Sequence, residues 1–435
     1  MILIAAFVVL VPLAPGQQQL PNFDRRSPVV LAVQNVGPAV VNIRTLGKVA
    51  VPRNPFFQRM DSYDYGLAER SLGSGVIVHE DGYVITNEHV VRMAERIQVA
   101  LKDGRVCDAT LVNTNVDSDL AVLKLNDSPP FAVATLGNSD ELLVGETTIA
   151  LGNPFGLDSS VTSGILSGTG RSVPFRGRLV FRDFLQTSAI IHPGNSGGPL
   201  LDINGRVIGI NVAIDNRGPG IGYAIPVNRV KTVMTELLDP EVTRYAWLGF
   251  EAGSDAGNLI AHRVSPGGPA EAAGLKNGDL ILAVGDRSVK SPFELNVALQ
   301  SRDLDEPVPV RYRRAGQEAV AQVAFKPLTL QNLAKGNRAS IHGLSVTNLT
   351  QAVAGKLHLP ENVRGPIVLE VEQGSGAEQI GLKQGDVIVQ VESVAVPDIQ
   401  QLERVLGYYK PRGSARIKVY REDQGLLEGR LSLNN

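Results

Sequence analysis

IIHPGNSGGPLLD spans Ile190 to Asp202, and its centre, Gly194-Asn195-Ser196-Gly197-Gly198, admits three readings. The first is a plain glycine-rich turn. The second is the G-x-S-x-G elbow of α/β-hydrolases, which needs a strand before it, a helix after it, and an acid and a histidine later in the chain. The third is a loop between β-strands whose backbone N–H groups surround a reactive serine.

A serine hydroxyl is a poor nucleophile unless a base takes its proton and fixed N–H donors receive the oxyanion. With no side chains at Gly194, Gly197 and Gly198, the backbone can take unusual dihedrals and turn the N–H groups of Gly194, Asn195 and Ser196 inward. The downstream sequence speaks against the elbow. Asn204-Gly205 lies between Pro199-Leu-Leu and Val207-Ile-Gly-Ile and marks a hairpin, not a helix.

The later histidines, His262, His342 and His358, fall in or beside a repeated region, which leaves His79, His89 and His192 as candidate bases. His192 shares the serine's loop, and His79 reads as a solvated residue at a strand edge. His89 ends the strand of Thr86-Asn-Glu-His89-Val-Val91 at a polar corner, where a side chain can be aimed across a cleft. Its other ring nitrogen needs an acceptor, and Asp117 or Asp119 of Asn115-Val-Asp-Ser-Asp-Leu-Ala121 can supply it.

The surroundings are β-rich. Gly75–His79 and Tyr83–Thr86 flank Glu-Asp-Gly and predict a hairpin. Further strands are predicted at 96–101, 120–125, 147–151 and 207–213, so the fold is a barrel or sandwich. Val227, Val230, Val233, Met234 and Leu237 form one helical face that Asp239-Pro240 terminates. Beyond it, Ala273-GLKNGDLI-Leu282 returns as Ile380-GLKQGDVI-Val389, a domain-sized period that predicts two small α+β modules, each with an amphipathic stretch near 294–299 or 401–406.

Composition sets the class. The 435 residues allow two to four domains, and 42 Lys and Arg against 44 Asp and Glu leave no basic run for nucleic acid. Ile2–Leu13 is almost wholly apolar and precedes Ala14-Pro-Gly16, so residues 1–16 read as an export signal, although no Lys or Arg precedes the apolar run. An uncleaved anchor is the alternative. Cys107 is the single cysteine, which excludes an intrachain disulfide and suits a bacterial periplasm.

Taken together, TNEHVV, DSDLAVLKL and GNSGGPL, followed by two copies of GLKxGD, resemble the HtrA (Deg) family. The resemblance covers about residues 30–435. It implies a mainly β protein, a chymotrypsin-like double β-barrel protease domain (17–240) followed by two small α+β PDZ domains (241–330 and 331–435). It also assigns His89 as base, Asp119 as orienting carboxylate and Ser196 as nucleophile, with no metal or organic cofactor required.

By the same resemblance, Ile190, Ile191 and Ile214 line the primary specificity pocket, whose apolar walls favour small or medium aliphatic residues at the cleaved bond. Ser188 stands where relatives often carry Asp. Trp247-Leu248-Gly249-Phe250 and Ile341-His342-Gly343-Leu344 take the place of the loops with which PDZ domains hold peptide C-termini. Asn54–Tyr65 concentrates four of the chain's 12 Phe and 9 Tyr in a predicted loop, a contact surface for a homotrimer or a larger cage. The function implied is ATP-independent, periplasmic degradation of unfolded proteins without membrane association after processing. The alternative is a holding chaperone in which cleavage is secondary.

Overall fold

The computed structural model describes residues 25–52, 63–153, 160–175, 178–212, 220–333, 338–360 and 362–433. The export segment, most of the aromatic loop and Ile214 lie outside them. No helix among the described residues is long and apolar enough to cross a membrane.

After α1 (Pro28–Val36) come β1 (Val40–Pro52), β2 (Tyr63–His79), β3 (Tyr83–Thr86), α2 (Glu88–Val91), β4 (Arg96–Ala100), β5 (Val106–Asn115) and β6 (Leu120–Leu125). These strands close a barrel in the order β1-β2-β3-β6-β5-β4. A second barrel, β10-β11-β12-β9-β8-β7, is built from β7 (Thr147–Gly152), β8 (Ser160–Phe175), β9 (Arg178–Thr187), β10 (Pro199–Leu201), β11 (Val207–Val212) and β12 (Gly222–Pro226).

The predicted hairpin pairs Val76 with Ile85 and His79 with Tyr83, and Gly82 turns it with φ +82°. Asp202 caps the turn at Asn204-Gly205, its Oδ1 accepting the N–H groups of Asn204 and Arg206. One apolar core runs from barrel to barrel, including Ile43, Ile85 and Leu123 of the first and Leu151, Leu201 and Val212 of the second. The loop holding Ser196, between β9 and β10, therefore faces the corner after β3. α3 (Val227–Leu237) buries the five predicted residues on this core.

α4 (Pro240–Thr243) leads into the first module, which comprises β13 (Ala246–Trp247), β14 (Glu251–Asp255), β15 (Asn258–His262), α5 (Pro269–Ala272), β16 (Leu280–Val284), β17 (Arg287–Ser288), α6 (Pro292–Gln300), β18 (Val308–Arg314), β19 (Gln317–Val323) and β20 (Lys326–Pro327). The second comprises α7 (Leu330–Leu333), β21 (Arg338–Ile341), β22 (Leu344–Asn348), α8 (Gln351–Lys356), β23 (Pro366–Val371), α9 (Gly376–Gln379), β24 (Val387–Val391), β25 (Val394–Ala395), α10 (Ile399–Tyr409), β26 (Ser414–Arg421) and β27 (Gly425–Ser432).

The repeated Gly-Asp is a structural clip. Asp279 and Asp386 are 1 % exposed, and each accepts two guanidinium bonds, from Arg314 (2.6 Å both) and from Arg421 (2.7 and 2.8 Å). The same arginines donate to Gly274 O and Gly381 O, at 2.8 Å in both modules. A buried carboxylate is costly without such hydrogen-bond partners, which accounts for the repeat without a ligand.

Candidate active site

The corner after β3 is built around Asp119, whose φ of +51° suits an Asp better than most side chains. Its Oδ1 accepts the backbone N–H of His89 at 3.0 Å, and its carboxylate lies 2.8 and 3.0 Å from His89 Nδ1. Its carbonyl accepts from Glu88 N–H (3.1 Å) and Asn87 Nδ2–H (3.0 Å). Four contacts thus tie one acidic residue to the turn carrying the imidazole. Asp117, the other candidate, is exposed and points to Arg364 of the second module, 4.0 Å away.

The serine loop packs against this corner. Ser74 N–H donates to Ser196 O at 2.8 Å. Gly197 takes φ +83°, and a Cβ there would lie 2.3 Å from Thr86 Oγ1 and 3.1 Å from Asn87 N. Gly73 is wedged between Val90 and Ser196 O, again without room for a Cβ. Ser196 itself is 4 % exposed.

Pro193 and Gly194 are the middle of a turn closed by Asn195 N–H to His192 O at 3.0 Å, with Gly194 at φ +95°. A positive φ at the third residue is the mark of a type II turn. The Asn195 N–H, read from the sequence as one of three inward donors, is engaged inside this turn.

A correction concerns His79, which is not solvated. Its ring meets Phe293 of α6 at 5.9 Å and Tyr83 at 6.0 Å between centroids, and burial pushes its pKa below the ordinary value. Beside it Arg287 pairs with Asp81, so this edge of the barrel docks the first module.

Residues 73–210 match the trypsin-like peptidase domain family, and residues 260–314 and 342–427 match PDZ domain families. A DegP-like periplasmic serine endoprotease of Halomonas elongata is 33 % identical over 96 % of this chain and 95 % of its own length. The chain belongs to the HtrA family of serine proteases. A DegP-like relative from Chlamydia trachomatis is 38 % identical over 77 % of this chain and 69 % of its own. A solved HtrA-type protease, AlgW with a decapeptide, aligns at 33 % identity over 69 % of this chain and 99 % of its own, with a TM-score of 0.42.

In this HtrA chain Ile191 leans on Gly222, where a Cβ would stand 3.0 Å from its side chain, and also touches the second barrel's core. Ile190 is 49 % exposed, with its carbonyl held by Thr162 Oγ1–H at 2.7 Å. Ser188 Oγ accepts Ile165 N–H at 2.9 Å.

The two PDZ loops differ. In the first, Gly249 takes φ +77°, and the carbonyls of Leu248 and Gly249 accept Ala270 N–H and Ser265 N–H. The following strand, β14, pairs with β15 on one side and has no other strand neighbour among the described residues. A cavity of about 830 Å³ lies where the three domains meet, lined by Leu248, Phe250 and Leu295 of the first module, Asn115 of the first barrel, and Ala354 and Leu359 of the second module. Asp239 and Glu241 also line it, and burial pushes their pKa values up to about 6 and about 8.

In the second module, Ile341-His342-Gly343-Leu344 is a two-residue hairpin turn, with φ +47° and +78° at its centre. It joins β21 to β22 in the register Arg338↔Thr347 to Ile341↔Leu344. β23 occupies the other side of β22. Both edges of β22 are therefore paired, unlike those of β14 in the first module.

The sequence reading missed Ser74, which contacts the serine loop, and Asn153, whose N–H donates to the Ser74 hydroxyl. The run Leu72-Gly-Ser-Gly-Val76 marks a close approach of backbone, but nothing in it names the partner.

Proposed function

We propose that the chain is an exported, ATP-independent serine endopeptidase of the bacterial periplasm that degrades unfolded or misfolded proteins. Residues 17–240 form the protease, and 241–330 and 331–435 the two PDZ domains. The observation that carries this reading is the double attachment of His89 to Asp119, by ring and by backbone, beside the loop of Ser196.

His89 Nε2 takes the hydroxyl proton as Ser196 Oγ attacks the peptide carbonyl, and Asp119 steadies the imidazolium. The N–H groups of Gly194 and Ser196 receive the oxyanion. Collapse passes the proton from His89 to the leaving amine, and water repeats the sequence in reverse on the acyl-enzyme. Every group in these steps belongs to the chain, so no cofactor is required.

The packing of Ile191 on Gly222 favours a shallow, apolar pocket that accepts Val, Ala, Leu or Ile. Peptide C-termini bind at the first PDZ groove, where the free edge of β14 offers strand addition. The chain assembles as a homotrimer, and light scattering that returns a monomer mass at micromolar concentration counts against this.

The deciding experiment is Ser196→Ala with unfolded casein. Degradation that persists removes the triad assignment. A cellular function that survives without cleavage makes holding of unfolded chains the main activity. Mass spectrometry of the wild-type digest tests the pocket, and cleavage mainly after Lys or Arg rejects it.

A further inference from the structure

Ser74 lies in β2 of the first barrel and is 0 % exposed, yet every polar group of this residue is engaged, its hydroxyl and its N–H across the seam between the barrels. Its hydroxyl donates to Gly194 O at 2.6 Å and accepts Asn153 N–H, just beyond β7 of the second barrel, at 2.8 Å. Its backbone N–H donates to Ser196 O at 2.8 Å, and its carbonyl accepts Thr86 Oγ1–H at 2.7 Å. Asn153 is anchored in turn, its carbonyl accepting Asn42 Nδ2–H at 2.7 Å.

We propose that Ser74 is a positioning residue for the oxyanion loop, holding the Gly194 and Ser196 carbonyls so that the N–H groups of the same two residues keep their spacing. The flanking glycines sit in tight surroundings: a Cβ at Gly73 would lie 2.6 Å from Val90 and 3.3 Å from Ser196 O, and one at Gly75 2.7 Å from Val84 within the first barrel. Asn195, between the two held residues, is 0 % exposed, and neither atom of its side-chain amide has a hydrogen-bond partner among the described residues. The loop's side-chain anchor on this side is therefore the hydroxyl of Ser74.

The inference rests on the triad reading, and the test separates the two. The full-length protein, Ser74→Ala, Ser74→Cys and Ser74→Thr are compared on a chromogenic peptide ending in Val, together with labelling of Ser196 by a fluorophosphonate and binding of a peptide boronate. Ser74→Ala should lower kcat about 100-fold, the cost of a 1 Å misplacement and the lower end for a lost oxyanion donor. KM should stay within about twofold, and phosphonate labelling and boronate affinity should fall in step with kcat. Ser74→Thr, which keeps the hydroxyl, should recover most of kcat.

An unchanged kcat, or a loss confined to KM, overturns the inference. Should Ser74→Ala fail to fold, Ser74→Cys keeps the volume and decides by the same ratios. Absence of phosphonate labelling at Ser196 in the wild-type protein removes the triad reading itself, whereas normal labelling in Ser74→Ala removes only the role of Ser74.

Discussion

Replacing Asp119 by Asn isolates the role of the carboxylate, because Asn tolerates the same left-handed backbone, φ +51°. Asp119 Oδ1 accepts the backbone N–H of His89 at 3.0 Å, so the amide oxygen must take that position. The NH₂ group then falls where Oδ2 lies 2.8 Å from Nδ1 and donates to the ring. This places the imidazole proton on Nε2, the nitrogen that has to accept from Ser196. Flipping the amide restores the tautomer but sets two donors against each other, at about 1–3 kcal/mol. Loss of the charge-assisted bond to the imidazolium adds about 1.5–3 kcal/mol. At about 1.4 kcal/mol per decade, the sum predicts a kcat lower by about 10²- to 10⁴-fold, with KM little changed. Because the His89 N–H keeps its acceptor, the melting temperature should move by no more than a few degrees. Steady-state hydrolysis of a peptide substrate with calorimetric melting measures both. A folded Asp119→Asn variant within tenfold of wild-type activity refutes the reasoning.

Calorimetric titration with a peptide bearing a free hydrophobic C-terminus should saturate at one site per chain, and two sites would show that β21 does not block β22. Gly249→Ala should weaken that site at least about tenfold, since a Cβ there lies 2.8 Å from Pro269 Cδ at φ +77°. Glu241, with its pKa raised from 4.5 to about 8 by burial, keeps its proton in the folded chain where the unfolded chain has lost it. Stability should therefore fall as pH rises from about 4.5 towards 8, and Glu241→Gln should flatten the melting temperature over that range. Ile191→Ala deepens the pocket, and digests of casein should shift from Val and Ala towards Leu and Met before the cleaved bond.

What was legible in the sequence depended on local period. The strands around Gly82 and the buried face of α3 reappear at the predicted residues, because alternation and helical spacing are local properties. The serine loop was harder, since Ser74, Asn153 and Gly194 are far apart in sequence and meet only when the barrels close. Three glycines announce unusual dihedrals but not which N–H turns inward, so Asn195 was read as a donor while its N–H closes a turn. His79 looked solvated because its covering residue, Phe293, belongs to another module.

The second PDZ loop carried a signal that the Gly-Leu pair obscured. Arg338-Ala-Ser-Ile341 and Leu344-Ser-Val-Thr347 flank two turn residues, His342-Gly343, which is the pattern of a tight hairpin. The two modules share the same buried Asp-Arg clip but differ in the availability of one strand edge. A strand tethered by two residues competes at an effective concentration of about millimolar or more. A free peptide at micromolar concentration cannot match that unless β21 is first released. The modules therefore differ in access to the edge strand rather than in fold, and under the proposed function it is the free edge of β14 that would take up a substrate tail.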